Sequence, residues 1–156
     1  MCALPMNVRP MTMARSRSKT MATWLAVVGG VLGAHRFYLH GKADPWAWLH
    51  LVGTLIGSIG VARMRHLGQD DQLAWMLAPV LGVVVTAAML AALVIGLMAD
   101  ERWATRFSPT QAIRPSGWGA VLGVIAALLL GSTALMSTLA FSGQKFFEYL
   151  ALRPPT

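Results

Sequence analysis

The residues of this chain able to do chemistry are four histidines, one cysteine and six acids, and their spacing narrows what that chemistry is. Nucleophilic catalysis needs a hydroxyl or thiol within hydrogen-bond reach of a base. His50 and Ser58 share an apolar stretch, but eight residues of helix hold them about 12 Å apart. A metal site needs three or four converging ligands. Cys2, His35, His40 and His50 show no such spacing, so no metal, cofactor or enzymatic activity is expected. Cation-coupled antiport needs a membrane-embedded carboxylate. Asp44, Asp70, Asp71, Asp100, Glu101 and Glu148 all fall in connections or in the tail. His50 is the one ionisable residue well inside an apolar stretch. A histidine there relays protons, pairs with Arg36 or bonds a carbonyl across a helix pair. Gly29–Gly33 is followed by no Lys-Ser/Thr and is no phosphate loop. Arg63-Met64-Arg65-His66 suits anionic lipid headgroups or a solvated loop equally.

The elements that position these residues follow from composition. Of 156 residues, 56% are hydrophobic and 12% charged, with a mean hydropathy of +0.57. A soluble domain runs about 45–50% apolar and about 25% charged. That excess excludes disorder, and a lone cysteine excludes a disulfide scaffold. The balance of thirteen Lys and Arg against six acids gives +7. The cations are dispersed at segment ends, without a basic helix face, so nucleic acid is not an expected partner. Lys and Arg anchoring membrane spans explain the same charge. The bilayer itself is the expected partner, with another membrane protein or a second copy as further possibilities.

Residues 1–20 carry Arg9, Arg15, Arg17 and Lys19 and no acid. They read as a basic cytoplasmic tail, with no signal-peptide cleavage expected because Leu32 occupies a position that wants a small residue. Four apolar segments follow, at about Met21–Leu39, Trp46–Ala62, Leu73–Met98 and Trp118–Phe141. A helix crosses a ~30 Å hydrocarbon core in about 20 residues. The expected fold is therefore all-α: a polytopic membrane protein with four transmembrane helices as two hairpins. The first hairpin spans 21–66, the second 67–142, and 143–156 form a C-terminal tail. Asp44-Pro45 supplies an N-cap and first-turn proline for the second span. Pro79 either kinks the third helix or marks its start. The stretch Ala99–Gly117 reads as a loop. All six tryptophans lie within about five residues of a span end, as interfacial indoles do.

Four crossings place both termini on one side. That side then holds eight Lys and Arg, namely Arg9, Arg15, Arg17, Lys19, Arg63, Arg65, Lys145 and Arg153. The other holds five: Arg36, Lys42, Arg102, Arg106 and Arg114. The excess predicts cytoplasmic termini in a bacterial inner membrane.

Helices in lipid associate through close backbone contact. Gly29/Gly33, Gly53/Gly57 and Gly119/Gly123 each form a Gly-xxx-Gly, with Ala88/Ala92 a weaker pair. The stripe Ala22-Ala26-Gly29-Gly33 and the stripe Gly53-Gly57-Gly60 sit on helices joined by a tight connection. They are expected to pack face to face. Between them lies Gly30, Gly33, His35, Arg36, Phe37, Tyr38, Leu39 and Gly41, in the run Gly29-Gly-Val-Leu-Gly-Ala-His-Arg-Phe-Tyr-Leu-His-Gly41. Arg36 near an interface needs a carbonyl, phosphate or partner. Gly41 suits a turn with positive φ.

This run resembles the TM2 domain family, whose members carry a glycine-rich first helix, an Asp/His-Arg-Phe-Tyr-Leu-Gly type motif and a second helix. Lys19 ahead of the first helix fits the same pattern. His40 stands as an insertion before Gly41, and Val61-Ala62-Arg63-Met64-Arg65 is basic where the family often has an acid. The resemblance covers about Lys19–Arg65 and implies membrane topology rather than a reaction. The expected role is structural, regulatory or partner-binding; the alternative is a small channel or transporter lined by His50 and Arg36.

Overall fold

The computed structural model describes residues 17–107 and 115–152, and every regular element among them is helical. Cys2, Arg9, Arg15, Arg114, Arg153, most of the N-terminal tail and the last four residues lie outside the described residues. Helix α1 spans Lys19–Gly29, and a 3₁₀ turn spans Gly30–Leu32. Helix α2 spans Ala34–His40, α3 Pro45–Leu67, α4 Gln72–Leu97, α5 Asp100–Phe107 and α6 Trp118–Ala151.

Side-chain caps set the starts. Ser18, Asp44 and Asp71 each accept a backbone N–H of the first turn, from Met21, Trp46 and Leu73. Pro45 occupies the first turn of α3, where it costs no hydrogen bond. Helix α4 continues through Pro79, so that residue is not its start.

The first apolar segment is not one helix, and the expected count of four spans is not confirmed. Gly33 takes φ 71°, a left-handed conformation, and its N–H closes on the Gly30 carbonyl at 2.9 Å. The chain reverses there. Gly30 lies against Ala88 of α4, ten residues short of Met98, which is about 15 Å along a helix. Helix α2 then returns to where α1 began: the Ser18 N–H donates to the Tyr38 hydroxyl at 3.1 Å. Three helices are long and apolar enough to cross a membrane, α3, α4 and α6, whereas Lys19–Leu32 is shorter.

The glycine stripes are contacts, but with other partners than sequence adjacency predicts. The stripe of α3 faces α4, not α1. A Cβ on Gly53 would lie 2.7 Å from Val84, one on Gly57 would enter the Leu81 backbone, and one on Gly60 would lie 2.6 Å from the Leu77 carbonyl carbon. Helix α1 instead packs against α4 and α6. Gly119 and Gly123 of α6 face Thr20 and Thr23 of α1, and Gly131 faces Met89. Gly29 lies against Ala34, within the fold-back itself. The physical reason is depth. The fold-back ends beside Ala88, so most of α3 runs below it and has only α4 to meet.

Helix α4 is central, packed on both α3 and α6. The interior of the bundle is built from small residues. Ala22, Ala26, Ala88, Ala92 and Ala127 are fully buried, while Val28, Leu55, Met76, Val83, Val94 and Leu129 are more than half exposed. Large apolar side chains outside and alanines inside is the arrangement that lipid favours.

Two further boundaries differ from expectation. The expected loop Ala99–Gly117 contains α5, whose Trp103 is buried and donates to the Arg17 carbonyl at 2.9 Å. Helix α6 continues beyond residue 142 to Ala151, giving 34 residues, about 51 Å. Its Lys145 is buried over the Trp75 ring, 4.8 Å from the centroid, and pairs with Glu148 at 2.7 Å. The indoles of Trp24, Trp48, Trp75 and Trp103 each donate to a backbone carbonyl near a helix end.

Candidate functional site at the fold-back turn

The motif residues share a seven-residue helix but point in four directions. His35 and Leu39, one turn apart, face inward and are buried. The His35 ring meets the His50 ring of α3 edge-on, centroids 5.7 Å apart. His50 Nδ1 lies 3.1 Å from the Trp46 carbonyl of its own helix. Both ring nitrogens of His35 and Nε2 of His50 are buried without a hydrogen-bond partner among the described residues.

Arg36 turns the other way. Its guanidinium donates to Asp44 Oδ2 at 3.2 Å and stands 5.7 Å from the Trp46 ring. His40 Nδ1 lies 3.6 Å from the same carboxylate oxygen. Burial alone would raise the Asp44 carboxyl, but the Trp46 N–H and the Arg36 guanidinium outweigh it and hold it below the usual range. Phe37 meets Trp48 edge-on at 5.7 Å, and Tyr38 receives the Ser18 N–H. Gly41 closes α2 with φ 84°, its N–H on the Phe37 carbonyl.

The turn itself is clamped to α3. Thr54 Oγ1 donates to the Val31 carbonyl at 2.6 Å. A Cβ on Gly33 would lie 2.7 Å from the Ala47 carbonyl oxygen. Arg36 and His50, proposed from sequence to line one path, are thus engaged with different partners. His50 and Ser58 stay eight residues apart on α3, and no group of three His, Cys, Asp or Glu converges among the described residues.

Residues 15–64 match the family model of the TM2 domain. The chain carries a TM2 domain. No curated protein and no solved structure matches the chain. The TM2 domain thus comprises α1, the turn, α2 and nearly all of α3, while α4, α5 and α6 lie beyond the match.

The TM2 domain is tied to the rest of the chain by Lys19. Its Nζ donates to the Met98 carbonyl, to Asp100 Oδ1 at 2.9 Å and to Ser116 Oγ at 3.0 Å. The Ser116 N–H donates to Asp100 Oδ2 at 2.8 Å. One ammonium therefore joins the starts of α1, α5 and α6 to the end of α4. The Ser116 hydroxyl and N–H, then Lys19, hold the Asp100 carboxyl down to about 2 from 3.8. A depressed carboxyl contributes stability that is complete above the unfolded value and is lost as pH falls toward 2. Asp100→Asn is expected to cost about 1–3 kcal/mol at pH 7. The difference between wild type and variant should shrink steadily from pH 5 to pH 2, read from unfolding midpoints in detergent; a difference unchanged over that range would contradict the assignment.

Two features escaped the sequence. Inward placement of His35 is signalled by its spacing of four from Leu39. The role of Asp100 is signalled by Asp100 and Glu101 opening a short helix, where acids favour the N-terminal dipole.

Proposed function

We propose that this chain is a membrane-embedded scaffold without catalytic activity, with a TM2 domain that holds a half-depth hairpin in place for partner binding. The observation that carries this reading is that four polar groups of the domain are engaged in structural pairs, within it or with the residues next to it. Arg36 is bound to Asp44, Lys19 to Asp100 and Ser116, Thr54 to the turn carbonyl, and Ser18 to Tyr38. Buried polar groups so paired specify one arrangement of helices rather than a reaction.

In this reading α3, α4 and α6 cross the bilayer, and the fold-back enters and leaves by one face. Helix α5 lies on that same face. Among the described residues, Arg17, Lys19, Arg36, Lys42, Arg102 and Arg106 gather there, six cations against three, Arg63, Arg65 and Lys145, at the opposite face. The bias supports a fold-back face turned to the cytoplasm of a bacterial inner membrane, with the end of α6 outside. It also removes the conflict that Arg102 and Arg106 posed for four crossings. Single cysteines at Lys42, Gln69 and Gln144 test it with an impermeant thiol reagent on intact cells. Labelling at Gln69 and Gln144 but not at Lys42 is expected. Equal labelling of Lys42 and Gln144 would defeat it.

A channel or transporter is the second reading. It is favoured by the unpaired nitrogens of His35 and His50, since unpartnered polar atoms in a dry interior mark a place where a small polar guest fits. Proton or ion flux in liposomes that vanishes in His50→Ala would support it over the scaffold reading.

A further inference from the structure

The half-depth hairpin leaves half of its slot empty. Helices α3 and α6 both pack on α4, and the fold-back fills the space between them only down to Gly30 and Ala88. From Ala88 to Gln72, α4 runs another sixteen residues, about 24 Å, with no hairpin beside it. Two adjoining cavities occupy this stretch, about 310 and 270 Å³, sharing Leu81. One is walled by Met64 of α3, Ala78, Gly82 and Val85 of α4, and Ser137 and Phe141 of α6. The other runs past Ser58 and Val61 to Arg65 and His66 at the end of α3.

Among the described residues, three cations and three acids stand at this end of the bundle, Arg63, Arg65 and Lys145 with Asp70, Asp71 and Glu148. Arg63 is bound to Asp71 and Lys145 to Glu148. Arg65 is exposed and makes no ion pair among the described residues. Two adjoining, largely apolar pockets, one of them lined by the exposed Arg65, have the chemistry of one phospholipid: acyl chain along the apolar walls, phosphate on the guanidinium.

We propose that this groove binds the acyl chain of an anionic phospholipid from the leaflet opposite the hairpin, with its phosphate on Arg65. The proposal rests on the membrane reading above and adds a stoichiometric lipid site to it. The test reconstitutes the full chain in vesicles of equal phosphatidylglycerol and phosphatidylcholine. The chain is then extracted in mild detergent, and retained lipid is counted by native mass spectrometry.

One phosphatidylglycerol per chain is expected for wild type and for Arg65→Lys. Retention should fall about tenfold in Arg65→Gln. Ser137→Phe, which adds a ring at an exposed groove position, should abolish retention of both lipids while helix content is unchanged. Equal phosphatidylglycerol retention by wild type and Arg65→Gln overturns the headgroup assignment. Retention by Ser137→Phe overturns the groove. A lipid-free dimer of wild type overturns both, because a second copy then fills the slot. The membrane reading fails on cysteine labelling alone, whatever lipid is retained.

Discussion

Valine at Gly33 is expected to pull the fold-back hairpin out of the bundle, at a cost of about 2–5 kcal/mol. Two terms add. A β-branched residue at φ 71° carries the left-handed penalty, about 1–2 kcal/mol. Its side chain also meets the Ala47 carbonyl, which a Cβ would approach to 2.7 Å, and overpacking of that kind costs about 1–3 kcal/mol. Relief of that clash moves the turn off α3 and breaks the Thr54 bond to Val31. Gly41→Val separates the two terms. Gly41 also has positive φ, and a Cβ there meets nothing within 4 Å, so only a conformational term applies, about 1–3 kcal/mol because φ 84° with ψ −174° is a region essentially confined to glycine. Titration with sodium dodecyl sulfate, followed by tryptophan fluorescence, reads both. A Gly33→Val loss of no more than the conformational term, about 1–2 kcal/mol, would show that contact with Ala47 contributes nothing.

Leucine at Gly57 should separate α3 from α4, with a loss of about 3 kcal/mol or more. The Cβ position lies inside the Leu81 backbone, and backbone atoms cannot rotate away as a flexible side chain can. Gly57→Leu therefore moves a whole helix. Gly143→Leu is the matched control, because a Cβ at Gly143 meets nothing within 4 Å and a change below about 0.5 kcal/mol is expected. The same titration compares them. A Gly57→Leu midpoint within error of the Gly143→Leu midpoint would mean that α3 and α4 do not approach as closely as described.

Much of this fold is legible in the sequence, and the rest is hidden for particular reasons. Asp44-Pro45 marks the start of α3 because a carboxylate cap and an N1 proline leave little other choice. The three long apolar runs declare themselves by length. The break at Gly33 does not. In Gly29-Gly-Val-Leu-Gly33 a glycine chosen for close packing and one chosen for a left-handed turn look alike, and only Ala47, fourteen residues on, decides which it is. The partner of Gly53-Gly57-Gly60 is hidden for a related reason. Chain proximity favours α1, but the hairpin reverses before reaching that depth, leaving α4 as the neighbour. Arg36 shows its need of a partner by type, and Asp44 is close enough in sequence to supply it. His35 is concealed by standing next to Arg36, which draws the reading of that stretch to the interface. Ala99–Gly117 reads as a loop because its charges and prolines outnumber its apolar residues, yet Trp103, Phe107 and the Asp100 anchor together seat α5.

Helix α6 is longer than a bilayer core is thick: its 34 residues extend about 51 Å against a core of about 30 Å. The surplus is not left loose. Lys145 lies over Trp75 and grips Glu148, so the last turns are braced against the foot of α4. Phe146, Phe147 and Tyr149 stand exposed on those turns. Such rings float at the boundary between water and hydrocarbon. They act as a collar of fixed height, setting how deeply the bundle sits, and a tilt of α6 would lift or sink every other helix with it.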